Sequence, residues 1–362
     1  MARRTQEALG FGVEVDETDP EDPRVTFKTR KYVLSLVDRF LKGESKPERQ
    51  TASRPTIMNL AAEQLPEVGS PEDHAMKSMQ AEARALCGGL SHLSRGRFDI
   101  CLEHALCAQC MARPTYGMFE HMKEALRFAW AHVDEGVTHH ARSLVLNPAR
   151  EPIRPYDEQV EYGLYGMGDG SYVKPGDAVV TSKSMGGYAV MFGAAAIEWK
   201  AFRFHAVVVD TTSAESQAAS RLTARLIYFG ALARFWGVAQ DKPPYLFTDN
   251  DGLWYQAKDA ADVTKMAFVI RHVRFIQQGQ ELGFTAVHQV DTALLPVDAF
   301  TKHLDKGTRI RHYLLMRGHH AAARAVWRAS AAFKMWKPKR IVPVPAPAIE
   351  VDLEQSKHDN TK

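Results

Sequence analysis

Cysteine is scarce in this chain: four in 362 residues, at 87, 101, 107 and 110. So few thiols cannot build a disulfide framework. Cys107 and Cys110 have metal-ligand spacing, but a zinc site needs a second such pair or two suitably spaced histidines. The expectation is reduced, buried thiols. Long apolar runs are also missing. No segment reaches the roughly 20 residues that cross a bilayer. Met1-Ala2-Arg3-Arg4 leads into no apolar stretch of signal-peptide length. These absences predict a soluble, non-secreted intracellular protein, cytoplasmic or nuclear, with no membrane partner. A large excess of one charge is absent: 46 Lys and Arg face 43 Asp and Glu, a net +3. That balance permits a polyanionic partner without demanding one. No internal repeat is present, so the chain is not a repeat array.

What is present divides the chain into three. Residues 9–42 read as strand, turn, strand, helix: Phe11 to Val15 alternates, Asp16 to Pro23 is acidic and turn-rich, Val25 to Phe27 alternates again, and Lys31 to Phe40 has helical spacing. Residues 72–132 read as all-helical, with Met79, Ala83, Leu86 and Leu90 on one period. From about 160 the pattern changes to three strands, helix, strand, helix, strand, helix, an α/β order with a mixed sheet. From Gly307 the chain is a basic tail that reads as a helix up to about Met335, then as a proline-rich extended stretch that becomes disordered. The predicted units are therefore 1–150, 160–306 and 307–362.

Four acids sit where these predicted elements begin or end. Asp169 lies in Gly168-Asp169-Gly170-Ser171 on the first strand of the α/β part. Glu215 lies in the first turn of a long helix from Thr212 to Phe235. Asp249 ends the strand from Tyr245. Asp298 opens the helix that starts at Pro296. Singly, each has an ordinary structural role. Asp169 is a turn residue, Glu215 completes a capping box with Thr212, Asp249 caps a helix, and Asp298 suits a helix N-terminus. Jointly, four carboxylates at four element ends suit a pair of hard divalent ions and hydrolysis of a phosphodiester. The expected assignment has Asp169 bridging two Mg2+ ions, with Mn2+ as a substitute. Glu215 and Asp249 complete one ion's shell and Asp298 the other's. His288 and His303 flank the set and read as structural. His139-His140 and His319-His320 read as exposed pairs. The basic residues from Lys302 to Arg317 read equally well as phosphate contacts or as a solvated helix face.

These motifs run in the order of a known family. Gly10 to Val15 resembles F-L-G-x-E-V, and Arg30 to Phe40 resembles Q-x-K-Y-x-x-x-L-L-x-R-F. Gly89 to Ile100 resembles G-x-L-x-Y-L-x-x-x-R-P-D-I. Thr212-Ser213-Ala214-Glu215-Ser216 resembles S-S-x-E-A-E, and Thr248-Asp249-Asn250 resembles C-D-N. Val297 to Leu304 resembles A-D-I-F-T-K-P-L. Over about residues 9–306 the chain resembles the C-terminal part of copia-type LTR retrotransposon polyproteins, the end of a reverse transcriptase followed by ribonuclease H. The resemblance implies a ribonuclease H-like mixed five-stranded sheet flanked by helices, preceded by a mainly helical thumb- or connection-like region. It implies an endonuclease for the RNA strand of RNA–DNA hybrids, using two Mg2+ through Asp169, Glu215, Asp249 and Asp298. The implied partners are nucleic acid and a polymerase region in cis or in trans. The chain also departs from the family. The polymerase Y-x-D-D pair is absent. The T-K-H-I-D-I-R helix is reduced to Thr264-Lys265 followed by Met266 to Arg271, without its His and Asp. Those losses leave a second reading open, a catalytically inactive nucleic-acid-binding relic.

Overall fold

The computed structural model describes residues 3–48 except 9, 65–140, 163–172, 184–205 except 194, 208, 210–238, 243–258 and 269–330. The strand–turn–strand–helix order expected over residues 9–42 holds, and two further strands flank it. The strands β1 (Arg3–Ala8), β2 (Phe11–Asp16), β3 (Arg24–Lys28) and β4 (Val137–His140) form an antiparallel sheet in that order. The alternation in β2 and β3 was legible. The outer strands were not, because β4 joins from more than a hundred residues away. Helix α1 (Arg30–Phe40) follows β3 and buries Val33, Leu36 and Val37.

Three helices fill the expected helical region: α2 (Pro71–Leu93), α3 (Cys101–Ala108) and α4 (Tyr116–Ala131). Ser70 caps α2 through the Asp73 N–H, with Pro71 in the first turn. Thr115 caps α4 through the Met118 N–H. Cys87, Cys101 and Cys107 are buried in these helices and Cys110 is half-buried, all as free thiols.

The second sheet carries the acids. Its strands are β5 (Leu164–Gly170), β6 (Met185–Phe192), β7 (Ala195–Arg203), β8 (Tyr245–Thr248) and β9 (Ala286–Gln289), in the order β7-β6-β5-β8-β9. β5, β6 and β7 pair antiparallel, while β8 and β9 join in parallel. A parallel neighbour needs a crossover, and the long helix α5 (Thr211–Phe235) lies on that path. Helices α6 (Asp251–Lys258) and α7 (Ile270–Glu281) complete this layer. The helix expected from Asp262 is described only from Ile270, since 259–268 lie outside the described residues.

Strand β5 shows how period-2 alternation sorts the sheet's two faces. Gly166, Gly168 and Gly170 face α5, where Leu222 and Ala214 close on them. Tyr165 and Met167 point the other way into the larger core, with Phe300, Ile100 and Leu90. That core is continuous from the N-terminal helices to the underside of the sheet. Trp199 on β7 donates Nε1–H to the Ser94 carbonyl at 2.7 Å, and Arg203 reaches Gln109 Oε1 at 2.9 Å.

The segment 307–330, expected as a basic tail, is folded. Helices α8 (Lys306–Met316) and α9 (His320–Ala329) bury Tyr313, Leu315, Met316, Ala323 and Trp327. Arg311, Arg317 and His320 are buried with them, so neither phosphate contact nor solvated face describes Arg311 and Arg317. The helix expected here holds as two helices, and what composition did not show is that their apolar residues pack inward. The expected exposed histidine pairs are corrected too: His140 is partly buried against Asp22 at 3.1 Å, and only His319 of the later pair is exposed. Residues 331–362, including the proline-rich stretch, lie outside the described residues. Among the described residues no helix is long and apolar enough to cross a membrane.

Candidate metal centre

Register places the first two acids. β5 and β8 pair in parallel with Met167 opposite Phe247. Two residues further along, Asp169 and Asp249 leave neighbouring strands at the same level. Asp249 lies just beyond the end of β8. Asn250, not Asp249, caps α6, its Oδ1 accepting from the Leu253 N–H at 2.8 Å. Asp249 is thereby free of the cap, and its Oδ2 accepts from Thr292 Oγ1 at 2.6 Å.

Glu215 arrives from the other face. The capping box expected from Thr212 does not form. Asp210 is the N-cap of α5, its Oδ1 accepting from the Ser213 N–H at 2.7 Å and its Oδ2 from Ser213 Oγ at 2.8 Å. A charged carboxylate out-competes a threonine hydroxyl for the open N–H groups. Thr212 falls inside the helix, and Glu215 is released from any capping duty. Gly170 lets this helix start approach. A Cβ there would lie 2.4 Å from the Ala214 carbonyl carbon and 2.7 Å from the Glu215 nitrogen, both backbone atoms.

Asp169, Glu215 and Asp249 each place a carboxylate oxygen within 4.8 Å of the others. Asp169 and Glu215 are buried and Asp249 is half-buried. Thr301 Oγ1 donates to Asp169 Oδ2. Asp298 stands beside this triad rather than in it. Its Oδ2 pairs with Lys302 Nζ at 3.0 Å. The helix expected from Pro296 to Leu304 is a short 3-10 turn, Pro296–Phe300, and Phe300 is fully buried against Gly187 on β6. That plug anchors Asp298, Thr301 and Lys302 under the triad. Thr292 and Asp210 carry no sequence signal of their own, and Thr301 is marked only by its place in the Val297–Leu304 string. Lys302 belongs to the same string and to the basic group, and neither reading gives it Asp298 as a partner.

The donor set suits a hard divalent cation: all oxygen, no sulfur or imidazole. Glu215 Oε2 and Asp298 Oδ1 are buried without a hydrogen-bond partner. Orphaned carboxylate oxygens are costly unless a cation or proton meets them. His288 does not serve the site. It packs on Tyr245 at 4.3 Å, and burial, with Lys258, holds its pKa down to about 4.

The acids hold protons strongly. Burial, then the charges of Asp169 and Asp249, push Glu215 well above the usual carboxylate range. Burial raises Asp249, partly opposed by Thr292. Burial and the Asp169 and Asp249 charges outweigh Lys302 and push Asp298 up to about 8. An unfolded aspartate releases its proton near pH 4, roughly. The fold therefore binds more protons than the unfolded chain between about pH 4 and 8, and metal-free stability falls as pH rises through that window. Asp298→Asn removes this titration. Its lost pair with Lys302 costs less, because Lys302 is 43% exposed. The variant is expected to raise the metal-free melting temperature at pH 8 by roughly 2–4 °C or more, and by less at pH 5. Melting curves at both pH values check this; a gain as large at pH 5 contradicts it.

No protein-family model matches the chain. It is 22% identical over 278 residues, 76% of its length, to the retrovirus-related Pol polyprotein from transposon RE1 of Arabidopsis thaliana, and it spans 17% of that polyprotein. Among solved structures it is similar to RNase H1 from the halophilic archaeon Halobacterium salinarum NRC-1, at 17% identity over 39% of this chain and 95% of that one, with a TM-score of 0.26. The chain that carries this acidic triad is thus similar, at low identity, to part of a retroelement Pol polyprotein.

Proposed function

We propose that residues 160–306 are a ribonuclease H-like nuclease that hydrolyses the RNA strand of RNA–DNA hybrids. The observation that carries this reading is the triad of Asp169 and Glu215, both buried, and half-buried Asp249, gathered from β5, α5 and the end of β8. The distant likeness to a retroelement polyprotein supports it, as do the copia-like strings around Glu215, Asp249 and Asp298. The N-terminal helices and their sheet would be the end of a reverse transcriptase, acting as a platform for the duplex. A polymerase region would lie in cis or in trans.

Asp169, Glu215 and Asp249 would hold a Mg2+ or Mn2+ ion, with Asp298 available to a second. Such ions, when bound, supply an activated water and neutralise charge on the leaving oxygen. The chain's own groups set the geometry. Thr301 and Thr292 fix the carboxylates of Asp169 and Asp249 by hydrogen bonds. Gly170 sets the approach of Glu215. Lys302 adds a positive charge beside the three aspartates. Selection of a hybrid would rest on backbone shape and the 2′-OH.

The test is cleavage of an end-labelled RNA strand in an RNA–DNA hybrid, with Mg2+ or Mn2+, by the parent and its Asp249→Asn variant. Cutting by the parent alone is expected. Salt-sensitive hybrid binding with no cutting in either metal would replace this reading with the binding relic. Preference for duplex DNA would point to a DNA-cutting relative on a similar scaffold.

A further inference from the structure

Asp298 and Lys302 are held together by the backbone as well as by charge. The Lys302 N–H donates to the Asp298 carbonyl at 3.1 Å, and the Thr301 N–H to the same oxygen at 3.2 Å. This turn presents Lys302 Nζ to Asp298 Oδ2 at 3.0 Å. Phe300 anchors the turn, so Asp298 cannot move far. Lys302 can move: its side chain is long and partly exposed, while the Asp298 side chain is 6% exposed. Lys302 also feels the charges of Asp169 and Asp249. The ammonium therefore sits where positive charge is wanted by three aspartates. Asp298 uses one oxygen on Lys302 and leaves Oδ1 without a partner. Glu215 Oε2, inside the triad and buried, is likewise unpartnered.

We infer that Lys302 occupies the second cation position of this centre, so that a first divalent ion enters the triad freely and a second must displace Lys302 from Asp298. The inference rests on the metal-centre reading above and deepens it: Lys302 sets the metal concentration at which the site fills. Charge balance favours this order. With all four acids ionised, one divalent ion and the lysine leave a single excess negative charge. A second divalent ion with the lysine still in place would reverse the sign, at a cost in a buried site. A lysine suits the role because its ammonium is compact and its stem flexible.

The test is Mn2+ titrated into the full chain, with free Mn2+ followed by its electron paramagnetic resonance signal and melting temperature read in parallel. The parent is expected to bind one ion tightly and a second in a distinct, weaker step. Lys302→Gln is expected to lower the midpoint of the weaker step about tenfold, the size of one charge-assisted hydrogen bond. The tight step stays within roughly threefold, since a side chain outside the triad is all that changes. Lys302→Arg keeps the charge and is expected to stay near the parent. A weaker step that is unmoved in Lys302→Gln overturns the role of Lys302 and leaves the metal centre standing. Two equal tight sites in the parent overturn it as well. Absence of any Mn2+ step that Asp249→Asn removes overturns the metal centre itself.

Discussion

Asp169→Asn is expected to lower the rate of hybrid cleavage by roughly a thousandfold, the scale on which removing one well-placed electrostatic group acts. Three relations combine at this residue. It shares a 4.8 Å cluster with both Glu215 and Asp249. It accepts from Thr301, the residue between the Phe300 plug and Lys302. It raises the proton affinity of both Glu215 and Asp298. No other acid of the four touches all these relations. Asparagine keeps the shape and can still accept from Thr301, so the fold is expected to persist. With one less negative charge nearby, the metal-free variant should be at least as stable as the parent. Asp298→Asn is expected to cost less, because Asp298 stands outside the triad with its own counter-ion. Single-turnover rates at saturating Mn2+ check the order. Asp169→Asn within tenfold of the parent would end the nuclease reading of this centre.

Asp99→Ala is expected to destabilise the protein by about 3–5 kcal/mol, the usual cost of removing one partner from a buried ion network. Asp99 is 1% exposed. It takes Arg97 Nε and Nη2 in a two-pronged bond at 2.8 Å each. Arg317, from the end of α8, adds a bond at 2.5 Å to Asp99 Oδ2 and also reaches Glu135. Arg97 spends a further N–H on the Ala129 and His132 carbonyls. The network thus ties the loop before α3, the end of α4 and the C-terminal helices into one piece. Removing Asp99 leaves two buried guanidinium groups facing each other with Glu135 as the remaining acid. Burial pushes the Asp99 carboxyl up, but Arg97 and Arg317 outweigh it and bring it down to about 2. Its contribution is therefore present above an unfolded pKa near 4, roughly, and is lost as pH falls through about 2. Urea unfolding of parent and variant at pH 7 measures the effect. A change under about 1 kcal/mol would show that the network is not what joins these elements.

This network also explains a motif that had only a family likeness. Arg97-Phe98-Asp99-Ile100 matched R-P-D-I, with no chemistry visible in the string. In the fold its Arg and Asp are the buried pair, Phe98 stacks edge-on with Trp199 at 5.5 Å, and Ile100 is fully buried. The partner that completes it, Arg317, lies more than two hundred residues away in what reads as a basic tail.

The sequence by itself marked the five strands and the long helix α5 of the second sheet, because alternation, short apolar runs and turn chemistry are local signals; the short helix α6 was not among the predicted elements. It also determined which acids stand at element ends, since turn and cap chemistry is local. It could not determine which of them serve local structure. Thr212 and Glu215 have the spacing of a capping box, and only the fold shows Asp210 taking the cap. Asp249 reads as a helix cap, and only the fold gives that cap to its neighbour Asn250. The tertiary structure alone divided the four acids into a triad and a lysine-paired fourth, because that division depends on strand register and on how Phe300 seats under β6. It alone placed α8 and α9 in the core and made Arg317 a buried partner. Charge composition is a property of residues, whereas burial is a property of what packs against them, and here that packing comes from the far end of the chain.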